Sequence, residues 1–324
     1  MNVLITGGAG FLGLRLARQL LAEGTLTLGG KPERIQRLTL LDVSAPESLD
    51  DARVRVVTGD LSDPAVLAQA IDAATDTVFH LAAVVSGQAE ADFDLGMRVN
   101  LDAARALLER CRQLGHRPRV VFTSSVAVYG GHLPPVVQDD TALNPQSSYG
   151  VQKAIGELLL SDYSRRGFVD GRVLRLPTIS VRPGKPNAAA SSFASGIVRE
   201  PLAGETANCP VAPSTHLWLL SPRAAVAALV RGIELDGAQL GDRRTVNLPG
   251  LSITPREMVN ALRRVAGDAV AERVTWQREP RIENIVGTWP ARWDTRRAEA
   301  LGFQGDDSFD EVIRDYLRDT DLPA

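Results

Sequence analysis

Seven residues near the start of the chain, Gly7-Gly8-Ala9-Gly10-Phe11-Leu12-Gly13, limit its fold more than any others. They follow an apolar run, Val3-Leu4-Ile5-Thr6. They open a stretch over 11–23 in which Leu12, Leu16, Leu20 and Leu21 recur at helical spacing. A strand that turns through glycines directly into a helix is a phosphate-binding turn. Gly7 allows the tight turn, Gly10 lets backbone approach a phosphate, and Gly13 lets helix and strand pack closely. The free N–H groups at the helix start, at the positive end of its dipole, can then hold the pyrophosphate of a dinucleotide.

The rest of the first half repeats that unit. Short apolar runs at 38–42, 54–58, 77–80, 119–124 and 172–176 alternate with helical patterns. One helix starts at Asp63-Pro64, with Asp as N-cap and Pro in the first turn. Others are expected over 89–114 and 149–166. Such alternation implies an α/β fold, a doubly wound parallel sheet with helices on both faces. After Pro177 the pattern changes: 178–220 is rich in Pro, Ala and Ser and only weakly periodic. A helix is expected at 222–233, a strand at 245–248, further helices at 254–265, 294–301 and 308–318, and a short strand near 273–277. The expected division is a dinucleotide domain over 1–177 with returns near 221–250, and a smaller C-terminal substrate lobe from 178–220 and 251–324. Residues 25–35 read as an inserted surface loop.

Composition excludes several classes. A net charge of −3 lacks the basic footprint of a nucleic-acid binder. No apolar run is long enough to span a bilayer, and no signal-type segment precedes the first strand, so a cytoplasmic location is expected. Two cysteines, Cys111 and Cys209, read as reduced thiols. No His/Cys cluster has metal-ligand spacing, so no metal is expected.

Two groups of residues carry chemistry. Cofactor contacts are expected from Gly7, Gly10, Phe11, Leu12 and Gly13. Asp42, ending the second strand, can accept hydrogen bonds from the adenosine ribose and would repel a 2′-phosphate, which favours NAD over NADP. Asp60-Leu61 follows the third strand, where Asp60 can meet the adenine amino group or cap a helix. In His80-Leu81-Ala82-Ala83 the small alanines let backbone lie against a cofactor, while His80 reads as a packed histidine. Pro177, at the end of a later strand, completes the set. For catalysis, Tyr149 and Lys153 stand four apart on a helix and share a face. A nearby ammonium stabilises phenolate, making Tyr149 a base, and Lys153 can also reach the nicotinamide ribose. Ser124-Ser125 ends the fifth strand, at the sheet edge where open α/β folds bind ligands. Ser125 rather than Ser124 is expected to orient the reacting hydroxyl.

With T-G-G-x-G-F-L-G, D-L, H-L-A-A, S-S-x-x-V-Y-G and Y-x-x-x-K in this order, the chain resembles the extended short-chain dehydrogenase/reductase superfamily. The resemblance covers residues 1 to about 183 and implies a Rossmann-type NAD domain. It puts the Ser–Tyr–Lys set on Ser125, Tyr149 and Lys153, and a further Asn on Asn100 in the long helix. It also implies a homodimer through helices 89–114 and 149–166.

Within that superfamily, dehydratases carry Thr-Asp-Glu where this chain has Ser124-Ser125-Val126, which disfavours dehydration. Nucleotide-sugar epimerases carry an Asn and a Gly-Pro-Arg turn after the sixth strand, and later an aromatic-x-His-Val-x-Asp segment. This chain has Pro177 to Gly184 and His216-Leu217-Trp218-Leu219-Leu220-Ser221-Pro222 instead. The segment 182–193 and the Trp-Leu-Leu-Ser-Pro stretch resemble dehydrogenases of four-carbon sugar acids. The expectation is NAD-dependent oxidation of the C2 hydroxyl of an acid such as D-erythronate, with Ser86, Ser125, Thr178, Arg182 and Asn187 holding it. Uronate oxidation and nucleotide-sugar 4-epimerisation are the alternatives, and a non-catalytic dinucleotide sensor a more distant one.

Overall fold

Strands too apolar to face water on either side must be covered on both. Among the described residues one parallel sheet of seven strands does this at its centre, while its edge strand Val54–Thr58 is largely exposed. Across the sheet the order is Val54–Thr58, Arg37–Asp42, Asn2–Thr6, Thr77–His80, Arg119–Ser125, Asp170–Leu176 and Thr245–Asn247. The order reverses direction between Asn2–Thr6 and Thr77–His80, which opens a crevice at the carboxyl ends of the strands. The computed structural model describes residues 1–46 and 49–320.

Each face has its own core. Helices Phe11–Glu23 and Pro222–Glu234 cover one, through Leu16, Leu20, Ala225 and Leu229. Helices Pro64–Ala70, Ala103–Leu114 and Ser148–Arg165 cover the other, through Leu67, Leu107, Cys111 and Leu160. Asp63 caps its helix as expected, accepting from the Ala65 amide at 2.8 Å. A third core gathers Phe193, Ile197, Leu217, Met258, Leu262, Ile313 and Leu317 from the later part of the chain. Both cysteines are free and buried. Among the described residues no helix is long and apolar enough to cross a membrane.

Three expectations are corrected. Residues 25–35 are not a loop: Thr25–Leu28 and Lys31–Arg34 form an antiparallel hairpin. Its turn is Gly29-Gly30, both at positive φ, preceded by alternating Thr and Leu and followed by the exposed Lys31–Arg34 strand. Leu26 and Ile35 are fully buried, and the Thr27 amide donates to Glu234 at 2.7 Å, fastening the hairpin to helix Pro222–Glu234. Burying two such side chains contributes roughly 1.5–3 kcal/mol each, which explains why the segment is ordered.

The single helix expected over 89–114 is four pieces: Ser86–Ala91, Phe93–Gly96, a π-helical turn Met97–Asp102, and Ala103–Leu114. Asp92 restarts the helix by accepting from the Leu95 amide at 2.9 Å. The stretch 178–220 hides a helix, Phe193–Leu202. Its residues from Phe193 to Arg199 are all buried, and Phe193, Ala194, Ile197 and Val198 recur at helical spacing within the Pro-, Ala- and Ser-rich stretch.

Candidate active site

The glycine turn is built as its spacing requires. Gly7 has φ +71°, and a Cβ there would lie 2.8 Å from the Ala82 amide nitrogen. A Cβ on Gly13 would lie 2.1 Å from the Gly7 carbonyl oxygen, so only glycine lets helix Phe11–Glu23 approach this closely. The N-cap, Gly10, offers no side-chain cap, and no acidic residue occupies the first turn. The amides there are left for an anion. Asp42 sits beside this turn, accepting from the Ala9 amide at 3.0 Å.

One cleft of about 310 Å³ lies at the carboxyl edge of the sheet. It brings together Gly7, Gly10, Phe11, Leu12 and Gly13, then Leu81 and Ala83, then Ser125, Tyr149, Lys153 and Pro177. Ser86, Thr178, Arg182 and Asn187 line the same cleft, although the last three lie beyond the strand that ends at Leu176. Asp42, Asp60, Leu61, Ala82 and Asn100 are not in its wall. Asp60 accepts from the Ser62 amide and hydroxyl, both at 2.8 Å, so it neither caps the next helix nor faces the cleft. Asn100 is buried in the π-helical turn, where its Oδ1 accepts from the Val84 amide at 2.8 Å. Its Nδ2 donates to Gln152 at 2.7 Å, which ties the segment after Ala83 to the helix carrying Tyr149 and Lys153.

The two serines separate by role. Successive side chains of a strand point to opposite faces. Ser124 donates to Glu157, which also pairs with Arg175 at 2.6 Å. Ser125 keeps its hydroxyl beside Tyr149, accepting only from the Ala127 amide at 3.2 Å. Helix Ser148–Arg165 starts on the Ser147 cap, and this start presents Tyr149 to the cleft.

Burial pushes the Tyr149 phenol up to about 12, while hydrogen bonding to Ser125 and the charge of Arg182 draw it down. The sequence assigned that drawing-down to Lys153, whose ammonium stands 5.7 Å from the Tyr149 ring centroid and 4.8 Å from that of Phe122. Burial pushes Lys153 down to about 8, against the opposing pull of Glu157. Lys153 is only 2% exposed, yet no hydrogen bond within the protein engages it among the described residues. The ammonium lies over the Phe122 ring and lines the cleft, where ribose hydroxyls would offer it acceptors. His80 is a core residue: it shares a 2.8 Å hydrogen bond with Thr6, and burial lowers it to about 3.

Arg182 is held by two fixed acceptors, the Ile179 carbonyl at 3.1 Å and Ser191 Oγ at 2.9 Å. Burial and the neighbouring Arg199 lower it to about 10, and among the described residues no carboxylate meets it. Asn187 is turned onto its own loop, accepting from the Ala189 amide at 3.0 Å. Ser86 accepts from the Ala190 amide at 3.3 Å, which locks that loop against the first half of the chain.

Ser191, within the expected 182–193 segment, also lines the cleft, and Val126, Ala127 and Trp289 are among the lining residues not expected from the sequence. Val126 and Ala127 follow directly from Ser125 and were legible as its neighbours. Trp289 comes from a distant segment with no local signal.

Comparisons with known proteins agree with this geometry. The model of the NAD dependent epimerase/dehydratase family matches residues 3–216. A D-erythronate dehydrogenase of Cupriavidus necator is 82% identical over 322 residues, covering 99% of both chains. One from Haemophilus influenzae is 48% identical, covering 98% of this chain and 99% of its own. A crystal structure described as a nucleoside-diphosphate-sugar epimerase from Agrobacterium tumefaciens is 46% identical. It superposes with a TM-score of 0.91 over 98% of this chain and 94% of that one.

Proposed function

The chain belongs to the NAD-dependent epimerase/dehydratase family, and within it we propose an NAD-dependent dehydrogenase that oxidises the C2 hydroxyl of D-erythronate to 2-dehydro-D-erythronate. The observation that carries the substrate class is Arg182, a cation in the same cleft as Ser125 and Tyr149 with no carboxylate of its own. An acid whose carboxylate meets Arg182 holds its adjacent C2 hydroxyl near those two residues.

Residues 1–177 with the returns near 221–250 hold the dinucleotide, and residues 178–220 with 251–324 shape the acid site. Gly7, Gly10 and Gly13 with the helix start receive the pyrophosphate, Asp42 the adenosine ribose and Lys153 the nicotinamide ribose. Bound NAD+ supplies the acceptor for the two electrons released at C2. Ser125 orients the C2 hydroxyl, and Tyr149, as phenolate, takes its proton. Arg182 and the hydrogen bond from Ser125 draw the phenol toward phenolate, and the Lys153 ammonium, 5.7 Å from the Tyr149 ring centroid, adds its charge to the same site. Thr178, Ser86 and Asn187 line the remaining wall.

The test is NADH appearance with NAD+ against free four-carbon acids, hexuronates and UDP-sugars. Rapid formation with D-erythronate is expected. Silence with every free acid but conversion of a UDP-sugar would replace this reading with the epimerase one, which the 46% identical structure keeps in view.

A cytoplasmic homodimer completes the proposal. Val151 and Leu158 on helix Ser148–Arg165 are 41% and 67% exposed, and Phe93 is 59% exposed. Apolar side chains exposed on these helices suit burial against a second copy. Sedimentation showing a dimer that Leu158→Glu splits supports this, whereas a monomeric parent protein removes it.

A further inference from the structure

Among the described residues, Trp289 is the one beyond Ser191 that lines the cleft. It is not a loose loop side chain. Its amide donates to the Val286 carbonyl at 3.1 Å, and the Thr288 hydroxyl donates to Ile285 at 2.7 Å, so a tight turn after helix Pro280–Val286 fixes its backbone. Half-buried, Trp289 packs against two cores. One contains Phe193, Met258 and Ile313. The other contains Val126, which follows directly from Ser125, with Tyr129, Trp218 and Trp293.

The geometry points to Trp289 as the residue that sets the carbon number of the acid. This rests on the dehydrogenase reading above. Arg182 fixes C1, and Ser125 with Tyr149 fixes C2. The cleft is about 310 Å³ and must also seat the nicotinamide. The carbons after C2 therefore extend into what remains, where the indole is the largest side chain of the second lobe. An indole seated against two packed cores does not yield easily to an extra carbon, because packed cores resist small displacements. A pocket that bounds an apolar edge discriminates one carbon by about 10- to 200-fold.

The test compares kcat/KM for D-erythronate with that for five- and six-carbon aldonic acids of the same C2 configuration. It uses wild type, Trp289→Phe and Trp289→Ala. The expected result is that Trp289→Ala raises the long-to-short ratio by at least about tenfold, with Trp289→Phe in between and the KM for NAD+ unchanged in both. An unchanged ratio in folded variants overturns the inference. If Trp289→Ala does not fold, Trp289→Leu and Trp289→Phe report the same ratio. Wild type inactive on D-erythronate would instead refute the substrate reading, and the ratio would then be read against the hydroxy acid it does oxidise.

Discussion

The two sides of the cleft are built on different principles. The dinucleotide side is made of backbone: a glycine turn, a helix N-terminus and a parallel strand end, all within a short stretch of chain. The acid side is made of side chains. Arg182 is held by Ile179 and Ser191, Ser86 braces the loop at Ala190, and Trp289 arrives from far along the chain. Backbone sites need particular residues at fixed spacing and leave a local imprint. Side-chain sites need only that distant segments converge, so they can change their ligand without disturbing the sheet.

The largest expected effect falls where the two sides meet. Tyr149→Phe removes the base and should lower kcat by roughly 10²- to 10⁴-fold, with NADH affinity by fluorescence titration nearly unchanged. A variant that keeps its turnover would break the assignment. Next, on the acid side, Arg182→Met should raise KM for D-erythronate by about 30-fold or more, the cost of removing one partner of a close charge pair. Its KM for NAD+ should hold. Equal losses for acid and cofactor would mean that the two sides are not separable.

The pH profile tests the coupling between them. Tyr149 is held up at about 12 and Lys153 down at about 8, so the active form needs the phenol ionised while the lysine keeps its proton. That combination grows with pH below 8 and is constant above it until the phenol itself ionises. Oxidation measured as kcat/KM should therefore rise with pH and level near 8. A fall beginning there would show that Lys153 alone governs the rate. The smallest effect belongs to the dinucleotide side. Asp42→Ala should weaken NAD+ by about tenfold, the value of a hydrogen bond to a charged group, and should relax the exclusion of NADP+, as paired KM measurements would show.

The same contrast explains what the sequence made legible. The parallel sheet, the glycine turn and the Ser125, Tyr149 and Lys153 positions follow from period, caps and spacing, and all three side chains stand in the cleft. Asn100 and Asp60, expected at the cofactor by pattern, stand outside the cleft wall and hold nearby backbone and side chains. The hairpin Thr25–Arg34 carried half a signal: alternating Thr and Leu lead into the Gly-Gly turn, but the polar Lys-Pro-Glu-Arg that follows does not read as a strand. Helix Phe193–Leu202 carried a short helical period in Phe193, Ala194, Ile197 and Val198, set inside a stretch dominated by Pro, Ala and Ser, whereas Trp289 had no signal, because long-range packing has no local spelling.

The most direct test of the central claim follows one atom. D-Erythronate deuterated at C2 is turned over with NAD+, and the NADH is analysed by mass spectrometry. The account predicts one deuterium in the reduced cofactor and a 2-keto acid product. Deuterium-free NADH, or label released to water, would contradict oxidation at C2.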